Sequence, residues 1–232
     1  MIHQRQGRPR EDLLRCRPTS RRRRPAAKPA GASAAKTLGR RLSSVMSYDL
    51  HLFSPQAGVD LLACAVTSHE EAAEDVADGP LDTAAEDRKR RLVVALRRAV
   101  PHLEPFLFDY AEIAKLEGIS EDMARRRFRH VELNGPDDGG GVQVTLFDQH
   151  ASITVPYWHT GERAVGVFRE IWTCLATLER EAGLRTYDPQ LEQVVRLEDD
   201  FDRVLCQYAH GVALTQGSTQ PIRREKPWWK FW

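Results

Sequence analysis

Ser47-Tyr48-Asp49-Leu50-His51-Leu52-Phe53 alternates apolar and polar side chains, the period of a strand with one buried face. Two later runs, Val142–Phe147 and Ser152–Tyr157, share that period and follow the turn-rich stretch Asn134–Gly141. They are expected to be neighbouring antiparallel strands. Pro156, which cannot donate to a ladder, belongs at a sheet edge or a strand end. A further short strand is expected near Val194–Leu197.

Between these runs the period changes to 3.6. Leu92, Val93, Leu96 and Val100 form one helical stripe, ended by Pro101. Ala164, Phe168, Ile171, Leu175 and Leu178 stripe the longest helix, roughly Gly161 to Ala182, with Thr160 as cap and Gly183 as stop. Phe201, Leu205, Tyr208 and Val212 stripe the last one. Thr83-Ala84-Ala85-Glu86 and Asp109-Tyr110-Ala111-Glu112 read as capping boxes. Gly118 reads as a helix stop, and Ser120 as the cap of a helix over roughly 121–130. Residues 54–82, punctuated by Pro, Gly and Asp and carrying Glu70, Glu71, Glu74 and Asp75, read as a solvated segment, weakly helical in its middle. The pattern predicts one α+β domain over 46–213. Its antiparallel sheet is packed by two to four helices, those near 84–99 and 161–182 above all.

Residues 1–45 lack any apolar period. Thirteen of the 34 lysines and arginines lie there, against only Glu11 and Asp12 of the 33 acids. Such a head cannot bury enough surface to offset its ordering entropy, so it is expected to be disordered. The abrupt change at Met46 is what a start at Met46 would produce, with residues 1–45 untranslated. A basic nucleic-acid arm and an Arg-rich transit peptide are the alternatives. Without the head, 21 basic residues (34 less 13) face 31 acidic ones (33 less 2), and the formal charge of +1 becomes −10. Like charge repels phosphate, which argues against broad nucleic-acid binding. The four cysteines form no Cys-x-x-Cys pair, and Cys174 and Cys206 fall on helical stripes. That usage fits a reducing compartment. No apolar run approaches the roughly 20 residues of a membrane span, so a cytoplasmic location is expected.

Glu112–Arg127 has the look of a helix-turn-helix, with Arg125, Arg126 and Arg129 as the residues that would meet DNA. The first turn of its second helix, however, carries Glu121 and Asp122, which repel phosphate. Arg125, Arg126 and Arg127 are consecutive and spread over about 200° of helix rather than one face. A Gly-stopped helix before a Ser-capped one is also ordinary local structure. Gly139-Gly140-Gly141 precedes a strand, not a helix, and so is a hairpin turn rather than a phosphate cradle. His130, His150 and His159 flank the hairpin, with Asp148 near the second, at no spacing that enforces a metal site or an acid–base pair. An enzyme site around Tyr157, Trp158 and His159 is the weakest of the functional options. The acidic run Glu198–Asp202 is read as capping the last helix rather than binding a hard cation. No catalytic residue, metal ligand or cofactor is indicated.

Residues 214–232 are a polar linker and then an aromatic, basic tail. Three of the five tryptophans lie in the last five residues, Trp228-Trp229-Lys230-Phe231-Trp232. Exposed aromatic surface of this density costs solubility. It is read as a docking element for a protein partner, or for an anionic membrane surface, where Trp and Lys are both favoured. Folding back onto its own domain is the alternative.

The blocks Ser47–Phe53, Arg127–Asn134, Ile153–Trp158 and Tyr187–Gln190, in this order, resemble a group of bacterial proteins without assigned activity. The resemblance spans about residues 46–213 and implies a cytoplasmic domain that begins at the Ser47 strand. The tail resembles short Trp-rich ends on unrelated bacterial proteins. The expectation for function is therefore a non-enzymatic interaction protein with a C-terminal docking tail. A DNA-binding regulator using 112–130 is the alternative.

Overall fold

Strand β1 (Ser47–Phe53) lies inside the sheet, paired on one side with β5 (Ala151–Pro156) and on the other with β6 (Arg185–Asp188). The computed structural model describes residues 47–74, 79–135 and 141–217. In chain order β1 is followed by α1 (Leu61–Glu74), α2 (Thr83–Ala99), β2 (Glu104–Pro105), α3 (Tyr110–Glu117), α4 (Glu121–Arg127), β3 (Val131–Asn134) and β4 (Gln143–Leu146). After β5 come α5 (Gly161–Ala182), β6, β7 (Gln193–Val194) and α6 (Phe201–Gly217). The sheet has the order β2-β3-β4-β5-β1-β6-β7 and every neighbouring pair is antiparallel. The chain is thus α+β, as the pattern predicts. None of the described helices is long and apolar enough to cross a membrane. The 1–45 head and the 214–232 linker and tail lie outside the described residues except for 214–217, expected as linker, which continue α6.

The alternation of β1 decides which side of the sheet is dry. Tyr48, Leu50 and Leu52 are buried, and their partners across the ladder, Val155, Ile153 and Ala151, continue the apolar side. Val144, Leu146 and Leu133 extend it over β4 and β3. Leu92 and Leu96 of α2, Phe168, Ile171 and Leu175 of α5, and Val204, Tyr208 and Val212 of α6 complete this cluster. Each large side chain so buried contributes about 1.5–3 kcal/mol. Pro156 is the last residue of an interior strand, a strand end as expected.

Among the polar groups within or beside this core, two sets tie elements together. The Tyr48 hydroxyl donates to one oxygen of Asp188. The other oxygen accepts the Gln190 and Leu191 amides at 2.8 and 3.0 Å. Lys89 of α2 is 1 % exposed. Its ammonium donates to the Arg129 carbonyl at 2.6 Å and Asp148 at 2.9 Å, and lies 2.7 Å from Glu86. Asp148 takes Arg129 on its second oxygen at 2.7 Å, and Arg129 in turn donates to the Gly79 and Pro80 carbonyls. One node therefore ties α2, the segment before it, the end of α4 and the β4–β5 turn together.

Several elements differ from the sequence expectation. The 54–82 segment contains α1, a helix of 14 residues. Its contact stripe, Leu61, Cys64, Ala65 and Ser68, is made largely of small residues and so gives little hydrophobic period. Asp82, not Thr83, caps α2. Its extended backbone sets the carboxylate on the Ala84 amide and leaves Thr83 inside the helix. The helix expected to reach 130 ends at Arg127, because Arg129 and His130 are drawn into side-chain contacts with the sheet side. The strand expected near Val194–Leu197 is two residues, Gln193–Val194, while β6 supplies the longer pairing to β1. The other stops hold as read. Asp109 and Ser120 accept the Glu112 and Met123 amides, and Gly118 and Gly183 close α3 and α5 at φ 66° and 65°. Thr160 stands at the cap position of α5 without a side-chain cap bond.

Replacing Lys89 by Met keeps the stem's bulk but leaves Asp148 and Glu86 in a poorly solvated place beside one fewer cation. Removing one partner of a buried ion pair costs about 3–5 kcal/mol. Urea unfolding of Lys89→Met is expected to show a loss in that range, against under about 1 kcal/mol for the exposed pair partner variant Arg90→Met.

Candidate functional site

The side of the sheet opposite the core is polar, and the register arranges it in two rows. Asn134, Gln143, Thr154 and Asp49 stand opposite one another across β3, β4, β5 and β1. Glu132, Thr145, Ser152 and His51 form the second row, which Tyr187 of β6 continues. Helix α1 lies over the β1, β6 and β7 end of this face. Phe53, Cys64, Ala65 and Tyr187 form a small apolar cluster there, separate from the main core.

Three imidazoles meet under α1. His51, 5 % exposed, has its Nε2 3.1 Å from the Ser68 Oγ of α1. Its ring centroid is 5.4 Å from that of His69, also on α1, and 5.3 Å from that of His150 in the β4–β5 turn. His150 stacks on Phe147 at 4.3 Å, and Phe147 lies 5.4 Å from His130. His69 leans its edge on Tyr187 at 5.8 Å. Phe106 and Phe108 prolong this file of rings past His130, which lies 3.2 Å from Glu132.

Burial sets the charge state here. It pushes the His51 imidazole down to about 3, with His150 and His69 adding to the effect. Burial also lowers His69, opposed by the nearby charges of Asp49 and Glu70. Asp49 is raised by its burial, against hydrogen bonds from Thr154 and Ser47 and the influence of His69. Near neutral pH His51 is therefore an uncharged hydrogen-bonding ring. A pKa of about 3 is too low for an efficient general base at pH 7. Among the described residues no three His, Cys, Asp or Glu side chains converge to hold a metal ion.

The residues singled out from sequence are placed as follows. Of the three hairpin histidines, His130 and His150 flank Phe147, while Asp148 is clasped by Lys89 and Arg129. His159 lies elsewhere, 2 % exposed, its Nε2 accepting the Trp158 indole N–H at 2.9 Å and its amide donating to the Tyr208 hydroxyl at 3.1 Å. Tyr157 stacks on Tyr208 at 5.4 Å, and Tyr208 donates to the Pro156 carbonyl at 2.6 Å. Burial pushes both tyrosines up to about 12. Tyr157, Trp158 and His159 thus pin the β5–α5 connection to α6. Trp158, half exposed, covers Gly141, where φ is 56° and an added Cβ would lie 2.6 Å from the indole.

In the helix-turn-helix look-alike, Arg125 pairs with Glu121 and lies 4.8 Å over the Tyr110 ring. Arg126 is half-buried on α4, and Arg129 belongs to the Lys89 node. In the acidic run, Asp200 accepts the Arg196 amide at 2.8 Å and pairs with Arg203 at 2.7 Å. Trp228, Trp229, Lys230, Phe231 and Trp232 lie outside the described residues.

Sequence reading missed His51 and His69 as a pair. The available signal is a histidine at an outward position of an otherwise apolar-rich strand, together with His69 in the weakly helical middle of 54–82. No protein-family model, curated protein or solved structure matches the chain.

The Tyr157 ring is seated against Gly211 of α6 so closely that a Cβ there would collide with it. Gly211→Ala is therefore expected to destabilise by about 1–3 kcal/mol despite alanine's better helix propensity. Thermal unfolding checks this. A Tyr157→Leu background should relieve most of the loss.

Proposed function

We propose that this protein is a non-enzymatic interaction protein that captures a protein partner through Trp228, Trp229, Lys230, Phe231 and Trp232. The observation that carries the reading is the concentration of three of five tryptophans in five residues, placed beyond α6 on a polar linker. Aromatic side chains in desolvated pockets dominate interface energies, so a short segment of this kind is sufficient to anchor a complex.

The domain's own chemistry supports the same reading. In the candidate enzyme site of Tyr157, Trp158 and His159, His159 bonds to Trp158 and Tyr208 and Tyr157 stacks on Tyr208, contacts that fix the β5–α5 connection. Arg129, one of the candidate DNA contacts, is held by Asp148 and two backbone carbonyls, and Arg125 faces Glu121. The remaining basic residues of 46–232 are outnumbered by acids, which disfavours phosphate. On this reading the α+β body is a scaffold that carries the tail. A cytoplasmic location is part of the proposal, in keeping with the absence of a spanning helix among the described residues.

Affinity capture with the full chain and with a chain lacking residues 222–232 is the test. A partner that is retained by the first and lost by the second is expected. Trp228→Ala or Trp229→Ala should weaken capture by about 30-fold, the equivalent of about 2 kcal/mol. Identical capture profiles would overturn the reading. Tail-dependent flotation with phosphatidylserine vesicles would replace a protein partner by a membrane surface. Salt-dependent binding of duplex DNA would revive the regulator.

A further inference from the structure

Helix α1 is attached to the sheet differently from the other helices that pack on it. Its apolar contacts are the small cluster of Phe53, Cys64, Ala65 and Tyr187, with Leu61, Val66 and Val194 packed alongside. The main core lies on the other side of the sheet, under α2, α5 and α6. Asp60 caps the start of α1, accepting the Ala63 amide at 3.0 Å. Its C-terminal half carries Glu70, Glu71 and Glu74 and no base in the last turn, the wrong sign for the helix dipole. What remains is polar contact through imidazole rings: Ser68 and His69 on His51, and His69 on Tyr187.

We infer that α1 is an acid-released cover: protonation of His51 and His69, packed together beside His150, separates the helix from the sheet and bares the end of the polar face marked by His51 and Tyr187.

The geometry makes the cluster intolerant of charge. His51 stands between two other imidazoles at 5.3 and 5.4 Å, so each added proton meets a like charge. The groups facing the cluster are Asp49 from β1, Glu70 and Ser68 from α1, Tyr187 from β6, Ser152 from β5, and Phe147 beside His150 from the β4–β5 turn. Asp49 and Glu70 act on His69. The charges that act on His51 are the two neighbouring imidazoles. Glu192 reaches only as far as Tyr187.

The direction of the pH effect follows. Released into water, an imidazole titrates near 6.5, whereas the closed state holds His51 far lower. The released state therefore binds more protons between those values. Closure is fully favoured above about 6.5 and weakens as pH falls below it, by about tenfold in the opening constant per pH unit for His51. From pH 6.5 to 4.5, His51 alone accounts for about a hundredfold; His69 acts in the same direction, and Asp49, raised by burial in the closed state, acts against it. The main core contains none of these rings.

Hydrogen exchange on the full chain, corrected for intrinsic rates, is the test. Protection of the amides in Leu61–Glu74 is expected to fall about a hundredfold between pH 6.5 and 4.5, while Gly161–Ala182 stays protected. A His51→Gln, His69→Gln chain, which keeps a hydrogen-bonding side chain opposite Ser68, should lose most of that dependence. Should the double variant fail to fold, thiol labelling of the unaltered chain decides. Cys64 lies on the sheet-facing side of α1 and Cys174 in the main core, both buried and free. A disulfide reagent active in acid, such as dithiodipyridine, should modify Cys64 at pH 4.5 far faster than at 6.5, with Cys174 protected at both. Equal opening of α1 and α5, an α1 indifferent to pH, or an unchanged pH dependence in the double variant would each overturn the inference.

Discussion

The structure turns on the fact that β1 has neighbours on both edges and must satisfy two different environments with one seven-residue alternation. Tyr48, Leu50 and Leu52 face three helices, while Asp49 and His51 face the polar side and α1. A slip of one residue in register would place Asp49 and His51 in the apolar core and Tyr48 and the leucines on the polar face. The core's burial energy therefore fixes the register. The register in turn fixes which polar residues share a row. The row Glu132, Thr145, Ser152, His51 and Tyr187 is a consequence of packing on the far side of the sheet. The histidine cluster inherits its geometry from a core that it never touches.

The second constraint is electrostatic. Burying the Lys89 ammonium would be prohibitive alone, and it stands because Asp148, Glu86 and the Arg129 carbonyl surround it. That arrangement holds the β4–β5 turn against α2, where His150 meets His51 and Phe147 stacks on His150. It also removes Arg129 from the surface that a helix-turn-helix would present. The same ionic node thus positions one candidate site and weakens another. Asp188 plays a comparable role at the other end. By accepting Tyr48 and two backbone amides it locks β6 to β1, which places Tyr187 within reach of His69.

Elements with strong periodicity were legible from sequence. α5 was bounded correctly because Phe168, Ile171, Leu175 and Leu178 repeat at helical spacing and Gly183 offers a left-handed stop. β1, β4 and β5 were legible because each alternates cleanly. α1 is legible only as the weakly helical middle of 54–82, because its buried stripe is Cys64, Ala65 and Ser68, small side chains that need little hydrophobicity to pack closely on a sheet. β6 was missed because Arg185, Thr186 and Asp188 read as polar, and their burial is made possible by partners distant in the chain. The candidate site failed for the same reason. His51, His69 and His150 are separated by 18 and 81 positions in sequence, and only the pairing of β1 with β5 and the docking of α1 bring them together. Local pattern carries no information about such a meeting.

Neutral histidine at a helix–sheet contact has a cost that an apolar residue would not. Leucine at position 51 would seal α1 more firmly, since it needs no hydrogen bond and never charges. Histidine there makes the contact conditional on proton concentration, and the two further rings turn one weak condition into a steep one. The remaining contacts of α1 are sized to match, with a few small apolar residues and a helix end of the wrong charge. A strongly packed α1 would not respond to protonation, and a wholly unpacked one would leave nothing to release. The marginal attachment and the imidazole cluster are therefore parts of one arrangement. It is confined to the side of the sheet where losing it leaves the α2, α5 and α6 core intact.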